Sequence, residues 1–163
     1  MSIYGTLPGA LAYHAARGNT AWAAAGVTDE LRTAAMTRAA TALDGRYGRR
    51  FPGSRTGGRA QTLAWPRESA TDAEGETIPD DEVPVEIVNA SYELALSELV
   101  SPGALSPTVT PGKIKTRARV EGAVDVTYKD SGVSGQRPVL TIVDDILAPL
   151  LGAGSATVDI LRV

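Results

Sequence analysis

The sequence contains no cysteine, one histidine (His14) and one phenylalanine. Without cysteine there are no disulfides, no thiolate metal sites and no cysteine nucleophile. A Ser/His/Asp triad would have to recruit His14, and that residue sits in a short apolar stretch read as a helix, where a packing or surface role is expected. Aromatic residues make up 5% of the chain, and much of the 43% hydrophobic share is alanine. Buried apolar area stabilises by about 25 cal/mol per Å², so an alanine-rich core predicts modest stability for a lone chain and a gain from oligomerisation. No apolar run approaches the ~20 residues of a membrane span. The opening MSIYGTLPGALAYHAARGN has no basic leader followed by an apolar core, which predicts no signal peptide and synthesis in the cytoplasm. Phosphate-cradling glycine motifs are missing too. Asp80, Asp81 and Glu82 are chemically able to attract a divalent cation, but acids just before a helix more often complement its dipole. No enzyme, cofactor or metal is expected.

What is present is mainly α. The 163 residues suit one domain with an arm or tail. Residues 7–17 read as a short helix stopped by Gly18-Asn19. Thr20 is placed as the cap of a second short turn, AWAAA, with Trp22 and Tyr13 packed there. Thr28 caps the next helix, Asp29 and Glu30 occupy its positive first turn, and Leu31, Ala35, Ala39, Ala42, Leu43 and Tyr47 form one stripe ending near Gly45 or Gly48. Residues 48–83 hold five of the seventeen glycines and read as a long loop, ordered because Trp65 needs a place to pack. Pro84 is expected at the first position of a helix carrying Val85, Val88, Tyr92, Ala95, Leu96 and Leu99, stopped by Ser101-Pro102-Gly103. Alternation in KIKTRARV and again at Val124, Val126 and Tyr128 predicts a β-hairpin. Thr141 is read as the cap of a helix carrying Ile142, Ile146, Leu147, Leu150 and Leu151, kinked or ended early by Pro149. Gly152-Ala-Gly-Ser reads as a hinge before an extended tail. The expected architecture is a small helical bundle (1–103) with the long ordered loop, a hairpin plus helix (104–151) and a C-terminal tail (152–163).

Charge is segregated. Arg46, Arg49, Arg50, Arg55, Arg59 and Arg67 occur with no acid among them; Glu68, Asp72, Glu74, Glu76, Asp80, Asp81, Glu82 and Glu86 follow with no Lys or Arg. Like charges clustered this way call for opposite partners. Either the loop folds back and the blocks neutralise each other, or one subunit's basic block meets a neighbour's acidic block or nucleic acid. Lys113, Lys115, Arg117 and Arg119 make a second positive ridge, at ~6–7 Å spacing on one strand face. It guards an edge strand or faces phosphates or an acidic partner.

"YHAARGNTAW" (13–22), "RAATALDGRYGRRFPGSRT" (38–56), "QTLAWPR" (61–67) and "IPDDEVPVEIVNASYELAL" (78–96) resemble a family of tailed-phage and prophage proteins labelled DnaT-like or single-stranded-DNA-binding. In layout the family is similar to head–tail connector adaptors (head-completion proteins). The resemblance covers about residues 10–100 and implies a helical adaptor domain over 1–103. It also implies a ring of about twelve subunits in the virion neck, at the portal vertex. There it joins the portal protein to a stopper or tail-completion protein and surrounds double-stranded DNA in the channel. The two charge blocks and the 113–119 ridge become subunit-interface or channel surfaces. Leu63, Trp65 and Pro66 anchor the loop. By layout, residues 152–163, with Val158, Ile160, Leu161 and Val163, grip the portal. The alternative is a single-stranded-DNA-binding module.

Overall fold

The computed structural model of the chain describes residues 2–106 and 140–151. The predicted 113–128 hairpin, with Lys113, Lys115, Arg117 and Arg119, lies outside the described residues, as do the hinge and the tail with Val158, Ile160, Leu161 and Val163. The described fold is mainly α. Helix α1 (Leu7–Ala16) leads into a 3-10 turn (Thr20–Ala23) and then α2 (Asp29–Tyr47). The long loop carries two very short antiparallel pairs: β1 (Ser54–Arg55) with β2 (Arg67–Glu68), and β3 (Ala70–Thr71) with β4 (Thr77–Ile78). Helices α3 (Val85–Val100) and α4 (Thr141–Leu151) complete it.

Local chemistry sets most termini. The Thr6 hydroxyl accepts from the Gly9 N–H at 3.1 Å and opens α1, and Gly18 at φ +69° closes it. The Thr28 hydroxyl accepts from the Leu31 N–H at 3.4 Å, and Asp29 and Glu30 sit where the helix dipole is positive. Helix α2 ends at Tyr47 with Gly48 as its cap. Gly5 adopts φ +73°, and a β-carbon there would run into the Tyr92 hydroxyl. That hydroxyl accepts from the Thr6 N–H (3.0 Å) and donates to the Thr6 carbonyl (3.2 Å), tying the N-terminus to α3.

Helix α3 is the central element and packs on α2 and α4. Its buried set is Ile87, Ala90, Ser91, Tyr92, Leu94, Ala95 and Glu98, broader than the predicted stripe. Val85, expected in that stripe, is 62% exposed at the first position of the helix, and Pro84 is the residue before the helix rather than its first position. Leu31, expected in the α2 stripe, is also exposed; Met36 and Ala40 take up the buried face with Ala35, Ala39, Leu43 and Tyr47. Thr20 lies inside its 3-10 turn and Asn19 precedes it without a side-chain cap. Thr141 is the first residue of α4, whose core face is Val143, Leu147 and Leu150, and Ile142 is exposed. Pro149 lies inside α4, which continues through it to Leu151, the last described residue of the helix. No helix among the described residues is long and apolar enough to cross a membrane.

Candidate functional site

The charged loop is ordered because three separated segments meet beneath it. The Tyr4 hydroxyl donates to Asp44 Oδ1 at 2.7 Å, and the Ala64 N–H donates to Asp44 Oδ2 at 2.8 Å. The Trp65 N–H donates to the Tyr4 hydroxyl at 3.2 Å. Burial raises the Asp44 carboxyl above its usual range against the lowering effect of these donors. Burial, then the Asp44 carboxylate, pushes the Tyr4 phenol far up. Trp65 is fully buried against Phe51, ring centroids 5.9 Å apart, and the Trp65–Pro66 peptide is cis. Leu63 packs at the edge of the core. Leu63 and Trp65 lie where the loop meets the core, and the hydrogen bonds that fasten this stretch come from Tyr4 and Asp44. Neither follows from periodicity, although Asp44 lies inside the LDGRY motif.

Arg67 corrects the sequence reading. It was expected on an interface or channel surface, yet it is only 8% exposed. Its guanidinium donates to the carbonyls of Phe51, Pro52, Gly53 and Ala64. A planar fork with five donors suits several carbonyls at once. Its pKa is lowered, chiefly by burial and then by Arg55 across the β1–β2 pair.

The other basic residues divide. Arg46 is half-buried and lines a cavity of about 420 Å³ with Thr41, Glu98 and Leu105. Arg49 and Arg50 are exposed at the end of α2, the latter 5.8 Å from the Tyr47 ring. Arg55 and Arg59 belong to eight consecutive exposed residues, 53–60. That projection is braced. Gln61 accepts from the Gly57 N–H at 2.8 Å and donates to the Leu63 (3.0 Å) and Pro66 (2.9 Å) carbonyls. The Thr56 hydroxyl donates to the Asp80 carbonyl at 3.0 Å.

On the acidic side, Asp72 Oδ1 accepts from the Glu74 and Glu76 N–H groups, both at 2.9 Å, and shapes its own turn. Asp80 accepts from the Ser69 N–H at 3.3 Å, and Glu68 from the Ser54 hydroxyl at 3.2 Å. Glu74, Glu76, Asp81 and Glu82 are exposed. Among the described residues, no ion pair within 4 Å joins Arg49, Arg50, Arg55, Arg59 or Arg67 to the acids at 68–86. Ion pairs join Arg17 to Glu93 (3.5 Å), Arg32 to Asp29 (2.7 Å) and Arg38 to Glu98 (2.7 Å). Arg49, Arg50, Arg55 and Arg59 are therefore not neutralised by the acidic block through such contacts.

Of the buried polar residues, Glu98 is not foreseen from the sequence, whereas His14 takes the packing role expected of it. Glu98, 1% exposed, accepts from Arg38 and from the Gly103 N–H, both at 2.7 Å, closing the turn after α3. His14 packs in an aromatic cluster, its ring centroid 4.7 Å from Trp22 and 5.2 Å from Tyr13, with Nδ1 3.2 Å from the Asn19 amide. Burial pushes its pKa down. No three His, Asp or Glu side chains among the described residues gather closely enough to hold a metal ion.

A family model described as "Putative DnaT-like ssDNA binding protein" matches residues 3–163. No curated protein and no solved structure matches the chain.

Proposed function

The chain belongs to this DnaT-like family, and from that premise we propose that it is a ring-forming structural adaptor of a tailed-phage neck, joining the portal to the stopper or tail around the DNA channel. The observation that carries the reading is the display of unneutralised charge. Arg49, Arg50, Arg55 and Arg59 face solvent, as do Glu74, Glu76, Asp81 and Glu82, and no ion pair joins the sets. A fold that spends Tyr4, Asp44, Gln61 and a buried Arg67 on bracing this loop holds its charges in fixed places. Fixed charges of both signs suit one surface meeting its complement on a neighbour, which closes a ring when the rotation allows. The residues that carry the family resemblance, Asp44 in LDGRY and Ala64 to Arg67 in AWPR, take part in the brace. Partners on this reading are further copies of the chain, the portal protein, a stopper or tail-completion protein and the double-stranded DNA within; the site of action is the virion neck. Native mass spectrometry of the purified protein, together with electron microscopy of phage particles, tests it. A closed oligomer and density at the portal vertex are expected; absence from virions overturns it.

A second reading, single-stranded-DNA binding, is favoured by the family's description and by the four exposed arginines. It predicts oligonucleotide affinity falling steeply with salt, with a logarithmic slope of about 0.7 per neutralised phosphate. The acidic set has no part in that reading, and the net charge of −3 opposes it. Binding to a single-stranded oligonucleotide no tighter than to heparin removes it.

A further inference from the structure

Beside the projection lies a groove of about 230 Å³, formed by β4, the start of α3 and the end of α4. Ile78, Pro84, Val85 and Leu150 make its apolar floor, and Val85 is 62% exposed there. Asp72, Glu76, Glu82 and Glu86 stand around it. Its wall is fastened where the Ala73 N–H donates to the Pro149 carbonyl at 2.8 Å. An exposed valine inside a ring of carboxylates is unfavourable on both counts: apolar surface stays wet, and like charges repel. Arginine relieves both, because its methylene stem covers apolar surface while its guanidinium meets carboxylates at the rim.

We infer that the projection 53–60 of one copy, led by Arg55 and Arg59, seats in the acid-rimmed groove of a second copy. The inference rests on the self-assembling reading above and names the two surfaces it needs. Three observations select this occupant. The projection is exposed at every residue and carries two of the arginines without a carboxylate partner. Its conformation is set in advance by Gln61 and Thr56, so docking orders little new chain. And although the Thr56–Asp80 contact brings it beside the groove within one copy, neither Arg55 nor Arg59 comes within ion-pair distance of that copy's rim.

The test is a charge swap in the full chain, read by sedimentation velocity at low salt, with circular dichroism confirming that each variant is folded. R55E/R59E and E76R/E82R are each expected to weaken self-association at least about tenfold, since like charges then face each other. Mixed one to one, or combined in one fourfold variant that restores the original net charge, they are expected to recover it. If the single-surface variants assemble like the wild type, the inference is overturned while the ring reading stands. If the wild type stays monomeric at every concentration, both fail. Should R55E/R59E lose oligonucleotide binding and keep its assembly, these arginines belong to a nucleic-acid surface and the inference is again overturned.

Discussion

At the scale of single residues, Arg67 separates two uses of a cation. It contacts no carboxylate within 4 Å, and backbone carbonyls stabilise its charge instead. A lysine keeps the charge and loses the fork. R67K is expected to cost about 1–3 kcal/mol, because carbonyls that met the guanidinium are left unpaired in the interior; R67A adds a void and costs more. Urea unfolding at neutral pH measures both, and a value near zero for R67K would show that the fork geometry is unimportant. His14 gives a pH dependence of definite sign. Burial lowers its folded pKa below the ordinary value near 6.5, so the unfolded chain takes up the proton first. Its contribution is therefore fully present above that value and lost as pH falls toward the lowered one. Unfolding free energies at pH 7.5 and pH 5.5, compared between the wild type and H14Q, isolate it, because the buried Asp44 carboxyl is common to both. The decrease between them is expected to shrink in H14Q; an equal decrease in both proteins assigns it elsewhere.

At the scale of elements, what was legible in the sequence was the chemistry of adjacent residues. Gly18, Thr28, Gly48 and the Ser101-Pro102-Gly103 stop mark helix ends through local hydrogen bonds and backbone freedom, and the ends fall there. Buried faces were less legible. Leu31 and Val85 are apolar and correctly spaced, yet each lies in the first turn of its helix with solvent in front of it. Periodicity cannot say which neighbours arrive. Glu98 is the converse: an acid in a helix reads as surface until Arg38 and the Gly103 N–H meet it. The long loop is the strongest case, since its order depends on Tyr4, Asp44 and Ala64, residues 40 and 20 positions apart. Its folding back shows at Gly53, where φ is +66° and a β-carbon would press on the Glu68 carbonyl and Ala70 backbone. G53A is expected to cost about 1–3 kcal/mol, combining a left-handed backbone with a backbone clash. Hydrogen exchange checks where the cost falls. Amides of the β1–β2 pair should lose protection while those in the middle of α2 keep theirs; uniform loss would make the loop part of one cooperative unit with the helices.

At the scale of the molecule, a net charge of −3 conceals six arginines followed by eight acids. With four of those arginines exposed and unpaired with the acids, the fold gains little from attraction between the blocks. Stability comes from the Trp22, Met36, Leu43, Ile87, Leu94 and Leu147 core and from polar groups shielded from salt, such as Arg67 and Glu98. Assembly on the proposed reading depends on the exposed charges instead. These dependences separate with ionic strength, because screening shortens to about 10 Å at 0.1 M and about 3 Å at 1 M and acts on exposed pairs far more than on buried ones. Raising salt from about 0.05 M to about 0.5 M is therefore expected to weaken self-association by about tenfold or more and to move Tm little. Sedimentation and thermal melting of the same samples, the melts taken at concentrations where the chain is monomeric, provide the comparison. If Tm falls in step with association, the blocks attract each other within one chain, and the charge display that motivates a ring is internal after all. If association strengthens with salt, the contact between copies is apolar, and Val85, Leu31 and Ile142 become the surfaces to substitute.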